Sequence, residues 1–173
     1  MVKIRPAEIR DAEGIARVHI ETWRVAYRGL MPELVLQGLS LSVQGERWQQ
    51  SLAHPKRTST VVAELKEAVI AFASFGPEPG NDYRYQGELS HIYVLPSHQR
   101  RGIGTRLLRE VAQGLLQHNL PNMLLWVLSS NPARQWCERL GGRYLRDRVL
   151  EFGGQKLKEA AYGWDELHGL AGR

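Results

Sequence analysis

Cysteine is almost absent from this chain: Cys137 is the single one in 173 residues. No disulfide can close within it, so a packed core must hold the fold, and a reducing compartment fits best. Long apolar runs are missing too. The longest strongly apolar run, Met123 to Leu128, is far too short to cross a bilayer. No apolar stretch follows the opening Met1-Val2-Lys3-Ile4-Arg5-Pro6, so neither a signal peptide nor a membrane partner is expected. Repeats, low-complexity tracts and linkers are lacking. The six histidines are scattered without ligand spacing, so no metal is expected. A soluble, cytoplasmic protein is therefore expected.

What is present suffices for a core. Apolar residues make up 43% and charged residues of mixed sign 24%, which argues against disorder. The length suits one domain over residues 1–173. The formal net charge of +5 fits a polyanionic ligand, a nucleic acid, or only a margin of solubility. No nucleic-acid motif or aromatic–basic platform accompanies it, so nucleic acid is not expected as a partner.

The pattern alternates strands and helices. Val2 to Arg5 reads as a first strand. Asp11 reads as the N-cap of a helix whose core stripe is Ile15, Val18, Thr22, Val25 and Ala26. His19, Trp23 and Tyr27 form a second stripe on a neighbouring face. A helix over Leu41 to Leu52 precedes two strands, Thr60 to Leu65 and Ala68 to Phe75, joined by a Lys66-Glu67 turn. After a Gly/Pro-rich loop, Glu88 to Leu95 reads as a strand closed by Pro96. A helix to about Asn119 follows, with Ile103, Leu107, Leu108, Val111, Ala112, Leu115 and Leu116 as its apolar face. Met123 to Leu128 reads as a buried strand and Pro132 to Leu140 as a short helix. The tail reads as two strands around Gly153-Gly154.

The informative stretch runs from His91 to Thr105, where a strand enters a glycine turn and the turn opens a helix. The first N–H groups of a helix lack partners within it, and its dipole puts partial positive charge there. Gly102 and Gly104 allow close backbone approach, and Arg100 and Arg101 add charge, so a pyrophosphate is a natural occupant. A dinucleotide fingerprint would need a third glycine where Leu107 stands, and a P-loop would need Gly-Lys-Ser/Thr, which is absent.

Gln99, Gly102 and Gly104, after an apolar strand ending in Pro96, resemble the coenzyme A motif of the GNAT superfamily of N-acetyltransferases. A second block, Asn131-Pro132-Ala133-Arg134-Gln135-Trp136-Cys137-Glu138-Arg139-Leu140-Gly141-Gly142, resembles the superfamily's Asn-x-x-Ala-x-x-Phe-Tyr-Glu-x-x-Gly segment, and the two blocks come in the right order. The resemblance covers essentially the whole chain. It implies the α/β GNAT fold, a mixed central sheet of about seven strands flanked by helices. It also implies transfer of acetyl from acetyl-CoA, as co-substrate, to an amine acceptor by direct attack through a tetrahedral intermediate. The acceptor would be a small molecule or a protein amine. A homodimer is left open, since dimers are common in the superfamily.

Roles follow by the same resemblance. Ile92, Tyr93 and Val94 would offer backbone groups to the pantetheine arm, and the N–H of Val94 or a neighbour would serve the oxyanion. Arg100, Arg101, Gly102, Ile103, Gly104 and Thr105 would surround the pyrophosphate. Gln99 would shape the turn, and Asn131 would contact the pantetheine or thiol end. Glu88, eleven positions before Gln99, is the candidate general base, with His91 as an alternative that points to the other face. His19, Trp23 and Tyr27 would line the acceptor pocket, with Asp82, Tyr83 and Tyr85 as further candidates. Blander readings stand beside these: a tight turn for the glycines, a helix cap for Asn131, a strand-end carboxylate for Glu88, core packing for Trp23 and Tyr27. Two departures bear on the chemistry. Cys137 stands where the superfamily often has an acid tyrosine, and Trp126 stands where some members place a glutamate five residues before the asparagine. A coenzyme A-binding module without catalysis is the alternative reading.

Overall fold

The computed structural model describes residues 1–172. Its seven strands form one mixed sheet in the order β1-β2-β3-β4-β5-β7-β6. The strands are β1 (Lys3–Pro6), β2 (Ser59–Leu65), β3 (Ala68–Pro77), β4 (Gly87–Val94), β5 (Met123–Leu128), β6 (Arg143–Phe152) and β7 (Gln155–Trp164). The helices are α1 (Ala12–Ala26), α2 (Glu33–Gln37), α3 (Leu41–Ala53), α4 (Ile103–Gln117), α5 (Ala133–Arg139) and α6 (His168–Ala171). The chain divides into two compact units, and the boundary falls inside β3 and β4.

The first unit comprises Met1–Ser74 and His91–Leu108. Here β1 runs antiparallel to β2, with Lys3 opposite Glu64 and Pro6 opposite Val61. The two-residue link Lys66-Glu67 between β2 and β3 has positive φ at both positions (50° and 65°), the geometry that matches the twist of a hairpin. Helix α1 buries Ile15, Ala16, Val18 and Ile20. Val25, expected in that stripe, is 52% exposed, because the last turn of the helix packs through Trp23, whose Nε1–H reaches the Tyr93 hydroxyl, rather than through Val25. Asp11 flanks α1 without a side-chain cap bond. Its carboxylate instead accepts from both terminal nitrogens of Arg5 (2.7 and 2.8 Å) and from the Glu8 amide. Glu64 accepts from the Arg5 Nε at 2.9 Å, so one guanidinium ties β1, β2 and the entry to α1 together. The same guanidinium holds the Asp11 carboxyl below its ordinary range despite burial.

Rings fill the remaining core of this unit. His19 of α1 lies 5.2 Å from Tyr93, nearly parallel, and meets Trp23, Trp48 and His91 edge-on at 5.1, 6.0 and 5.4 Å. Phe72 closes the group against Trp48 at 5.0 Å. Burial holds His19 and His91 down at about 4, with each other's proximity adding to the effect on His19.

The second unit comprises Phe75–Ser90 and Arg109 onward. Strand β4 enters parallel to β5, pairing Gly87 with Met123 and Glu88 with Leu124. β7 lies antiparallel between β5 and β6. Tyr85 packs its ring on Gly163, where a Cβ would sit 2.5 Å from it, and its hydroxyl donates to Asp165 at 2.6 Å. The β6–β7 register slips between Tyr144 and Arg146, leaving Leu145 as a bulged residue. The short helices α2 and α6 lie outside the pattern legible in the sequence.

Two outcomes are expected from this packing. Asp11→Ala leaves Arg5 partly buried with one carboxylate fewer and should lower unfolding free energy by about 2–3 kcal/mol, read from urea denaturation at constant m. Neutral His19 and His91 resist protonation in the folded state while the unfolded chain takes up protons near 6.5. The penalty is absent above that pH and grows until about 4, so Tm should fall across this window. His91→Gln should flatten that slope; a slope identical to wild type would contradict the assignment.

Candidate active site

The turn after β4 is built by local geometry. Leu95 is buried and its N–H donates to the Ile70 carbonyl at 3.0 Å, which pins the end of the strand to β3. Residues Pro96–His98 make one 3-10 turn. The Gln99 side chain then reaches back, its Nε2 donating to the Val94 carbonyl at 3.0 Å. Arg100 (φ 59°) and Gly102 (φ 75°) both take the left-handed conformation. At Gly102 an L side chain would be strained, which is why glycine stands there. Alternating left- and right-handed residues turn successive N–H groups the same way and make an anion-binding concavity. Ile103 then opens α4, fifteen residues long, and buries its side chain as an anchor. Arg106 N–H is the first to find a helical acceptor, the Gly102 carbonyl at 3.1 Å. The amides of Ile103, Gly104 and Thr105 precede it, and these are the donors a helix start leaves over. Arg100, Arg101 and Gly102 are exposed; Gly104 and Thr105 are half-buried. This cradle suits a pyrophosphate by the chemistry of its donors.

The pleat of β4 sorts its side chains. Ile92 and Val94 share a face with Glu88 and Ser90, whereas His91 and Tyr93 point to the opposite face and join the ring cluster around His19. Trp23 donates its Nε1–H to the Tyr93 hydroxyl at 3.0 Å and lies 4.8 Å from the Tyr27 ring. Both Trp23 and Tyr27 remain half-buried, so one edge of the aromatic stripe stays accessible while the other is core. His91, by contrast, is held among rings, and burial keeps it neutral.

In the second unit, Glu88 is half-buried. Burial raises its carboxyl above the ordinary range, Glu78 and Glu159 add to this, and Arg148 works against it. Asn131 caps the chain ahead of α5, its Oδ1 accepting from the Ala133 amide at 2.9 Å. It lines an open cavity of about 400 Å³ with Ser129, Ser130, Pro132, Arg134, Gln135 and Glu138. Arg134 is fixed in that wall by the Ser129 carbonyl (3.0 Å) and the Tyr162 hydroxyl (3.1 Å), which in turn donates to Glu138 at 2.8 Å. Cys137 is 1% exposed, and burial pushes its thiol up to about 12. Asp82 is engaged within its own loop and by Arg146, and Tyr85 is core, whereas Tyr83 is 94% exposed. Among the described residues, no three His, Cys, Asp or Glu side chains converge on a position for a metal ion.

Sequence reasoning missed the arginines that flank Trp126. Arg148 lies 4.0 Å and Arg146 5.4 Å from the centre of its indole ring. The bulge that brings them there leaves no mark in composition or periodicity.

Comparison with known proteins places the sequence and the fold in a family. The sequence model of the Acetyltransferase (GNAT) family matches residues 19–141. The chain is 34% identical over 170 residues to the uncharacterized N-acetyltransferase YuaI of Bacillus subtilis (strain 168), covering 98% of this chain and 96% of that one. In fold it is similar to the PaiA N-acetyltransferase of Thermoplasma acidophilum in complex with coenzyme A, with a TM-score of 0.71, 18% identity and coverage of 92% and 98%. It is equally similar to yncA of Salmonella typhimurium, a putative acetyltransferase with its cofactor acetyl-CoA, at TM-score 0.71, 19% identity and coverage of 96% and 94%. The glycine turn at the head of α4, the mixed seven-stranded sheet and the family match together make this chain a member of the GNAT acetyltransferase family.

Proposed function

We propose that the chain acts as one domain over residues 1–173, moving an acetyl group from acetyl-CoA to an amine by direct attack through a tetrahedral intermediate. The observation that carries the reading is the Gln99–Ile103 turn, closed by the Gln99 side chain and opened toward ligand by left-handed Arg100 and Gly102. In this reading the amides of Arg100 to Thr105 bind the pyrophosphate. The backbone of Ile92, Tyr93 and Val94 receives the pantetheine arm, and the Val94 N–H is the oxyanion donor. Asn131 contacts the thiol end.

An ammonium is not a nucleophile, so the acceptor must lose a proton. Glu88 takes it. Its raised proton affinity favours this, because a base works best when its pKa lies near the operating pH. Trp23 and Tyr27 offer ring faces to the acceptor. Cys137 is an unsuitable acid: a thiol pushed up to about 12 gives up its proton less readily than the coenzyme A thiol it would serve. The leaving thiolate is stable enough near neutral pH to take its proton from water. A coenzyme A-binding module without turnover is the second reading, favoured by that same buried Cys137 in the place of an acid.

Coenzyme A should raise Tm by mass action, and Gly104→Glu should abolish the shift in a protein that still folds. Unchanged coenzyme A affinity in folded Gly104→Glu would refute the location of the cradle. Thiol release from acetyl-CoA across an amine panel separates the two readings, since binding without turnover identifies the module. Glu88→Gln should lower kcat on the order of 10²-fold, less at high pH where free amine is already present. Wild-type kcat at every pH would remove Glu88 from the mechanism.

A further inference from the structure

The second unit carries a built cationic feature on the face of its sheet that holds Glu88. Glu88 pairs with Leu124, and Trp126 is two residues further along β5, so the indole stands on the same face as the carboxyl. Trp126 pairs with Ala161 of β7, and Ala161 pairs with Arg146 of β6. Glu159 pairs with Arg148. Strict alternation from Arg143 would have put Leu145 and Asp147 on this face. The bulge at Leu145 shifts the parity and delivers Arg146 and Arg148 instead.

Each guanidinium is steered back over the sheet. Arg148 lies 4.0 Å from the centre of the Trp126 ring and donates through Nε to Glu159 at 2.8 Å. Arg146 lies 5.4 Å from the same ring and donates through one terminal nitrogen to Asp82 at 2.6 Å. One anchor and one ring fix each side chain, yet a guanidinium has five N–H donors in a planar fork. The two side chains remain 40% and 47% exposed, so their remaining donors can reach a ligand. Glu159 and Asp82 each occupy only one nitrogen of their guanidinium, so the donors left over on both forks can be shared by one anionic oxygen group between them.

We propose that the amine acceptor also carries a carboxylate or similar anionic oxygen group, which Arg148 and Arg146 bind over Trp126 while the amine faces Glu88. This rests on the acetyl-transfer reading above, in which Glu88 receives the amine's proton. The spacing limits the acceptor's length. From Glu88 to Trp126 the backbone offset is about 5 Å across the strands and about 7 Å along them. A small amino acid or aminoalkyl anion spans that distance, and Glu88 favours the ammonium end as the arginines favour the other. Trp126 acts here as a positioning residue, because its ring holds the two guanidiniums.

The test compares matched acceptors with acetyl-CoA: α- and ω-amino carboxylates against the amines of the same skeleton without the carboxylate. Wild-type enzyme should favour the carboxylated member by about tenfold or more in kcat/KM, the size of one charge-assisted contact. In Arg148→Gln that ratio should fall to near parity, chiefly through KM, and Arg148→Lys should fall between. Parity in the wild type, or a ratio unmoved by Arg148→Gln, overturns the proposal. If no amine is acetylated, the transfer reading fails separately, and the subsite is judged by melting of the coenzyme A-loaded protein with the amino carboxylates. Protection lost in Arg148→Gln sustains it, and no protection in the wild type overturns it. Should Arg148→Gln fail to fold, Arg148→Lys and Arg146→Lys give the same comparison with the charge retained.

Discussion

The pleat of β4 is the constraint from which the site follows. Eight residues in extended conformation must alternate, so Glu88, Ser90, Ile92 and Val94 take one face and Leu89, His91 and Tyr93 the other. Tyr93 and His91 are then committed to the ring cluster with His19. A shift of one residue would turn Glu88 to the face of the ring cluster and His91 away from it. The ends of the strand are fixed accordingly. Gly87 and Glu88 pair with β5 at the start, and the Leu95 amide is taken by Ile70 at the finish.

Much of this order was legible in the sequence because it rests on short-range chemistry. The Lys66-Glu67 link, Met123–Leu128 and the Gly153-Gly154 hairpin lie where turn residues and apolar runs put them. The Gln99-to-Gly104 turn was legible for the same reason, since glycine and a helix start are local signals. Other features depend on partners distant in sequence. Asp11 looks like a helix cap by position, but Arg5, held in place by Glu64, and the Glu8 amide claim its carboxylate and leave none of its side chain for the helix. Val25 has the spacing of a core residue and is exposed. Helix α2 spans five residues after Gly29 and Pro32, too few to show a period.

The arginines on β6 are the clearest case of what periodicity cannot carry. Arg143, Arg146 and Arg148 lie on β6, a strand that is mostly exposed. A single extra residue in the ladder decides which of them meet Trp126. The tryptophan itself, where relatives in the superfamily can carry a glutamate, becomes intelligible once the guanidiniums are seen on it. An indole offers them a ring face, while Glu159 and Asp82 supply the balancing charge from the neighbouring strand and loop.

The lone thiol has a practical consequence. Cys137 is enclosed on α5 and remains protonated at neutral pH, so it is a poor nucleophile toward disulfide reagents and maleimides in the folded protein. A colorimetric assay that counts free coenzyme A will therefore see little background from the protein itself. A cysteine introduced on the exposed Gln155–Lys156 end of the β6–β7 hairpin would be the one readily labelled site. A fluorophore there could report on movement of that hairpin without first removing the native thiol.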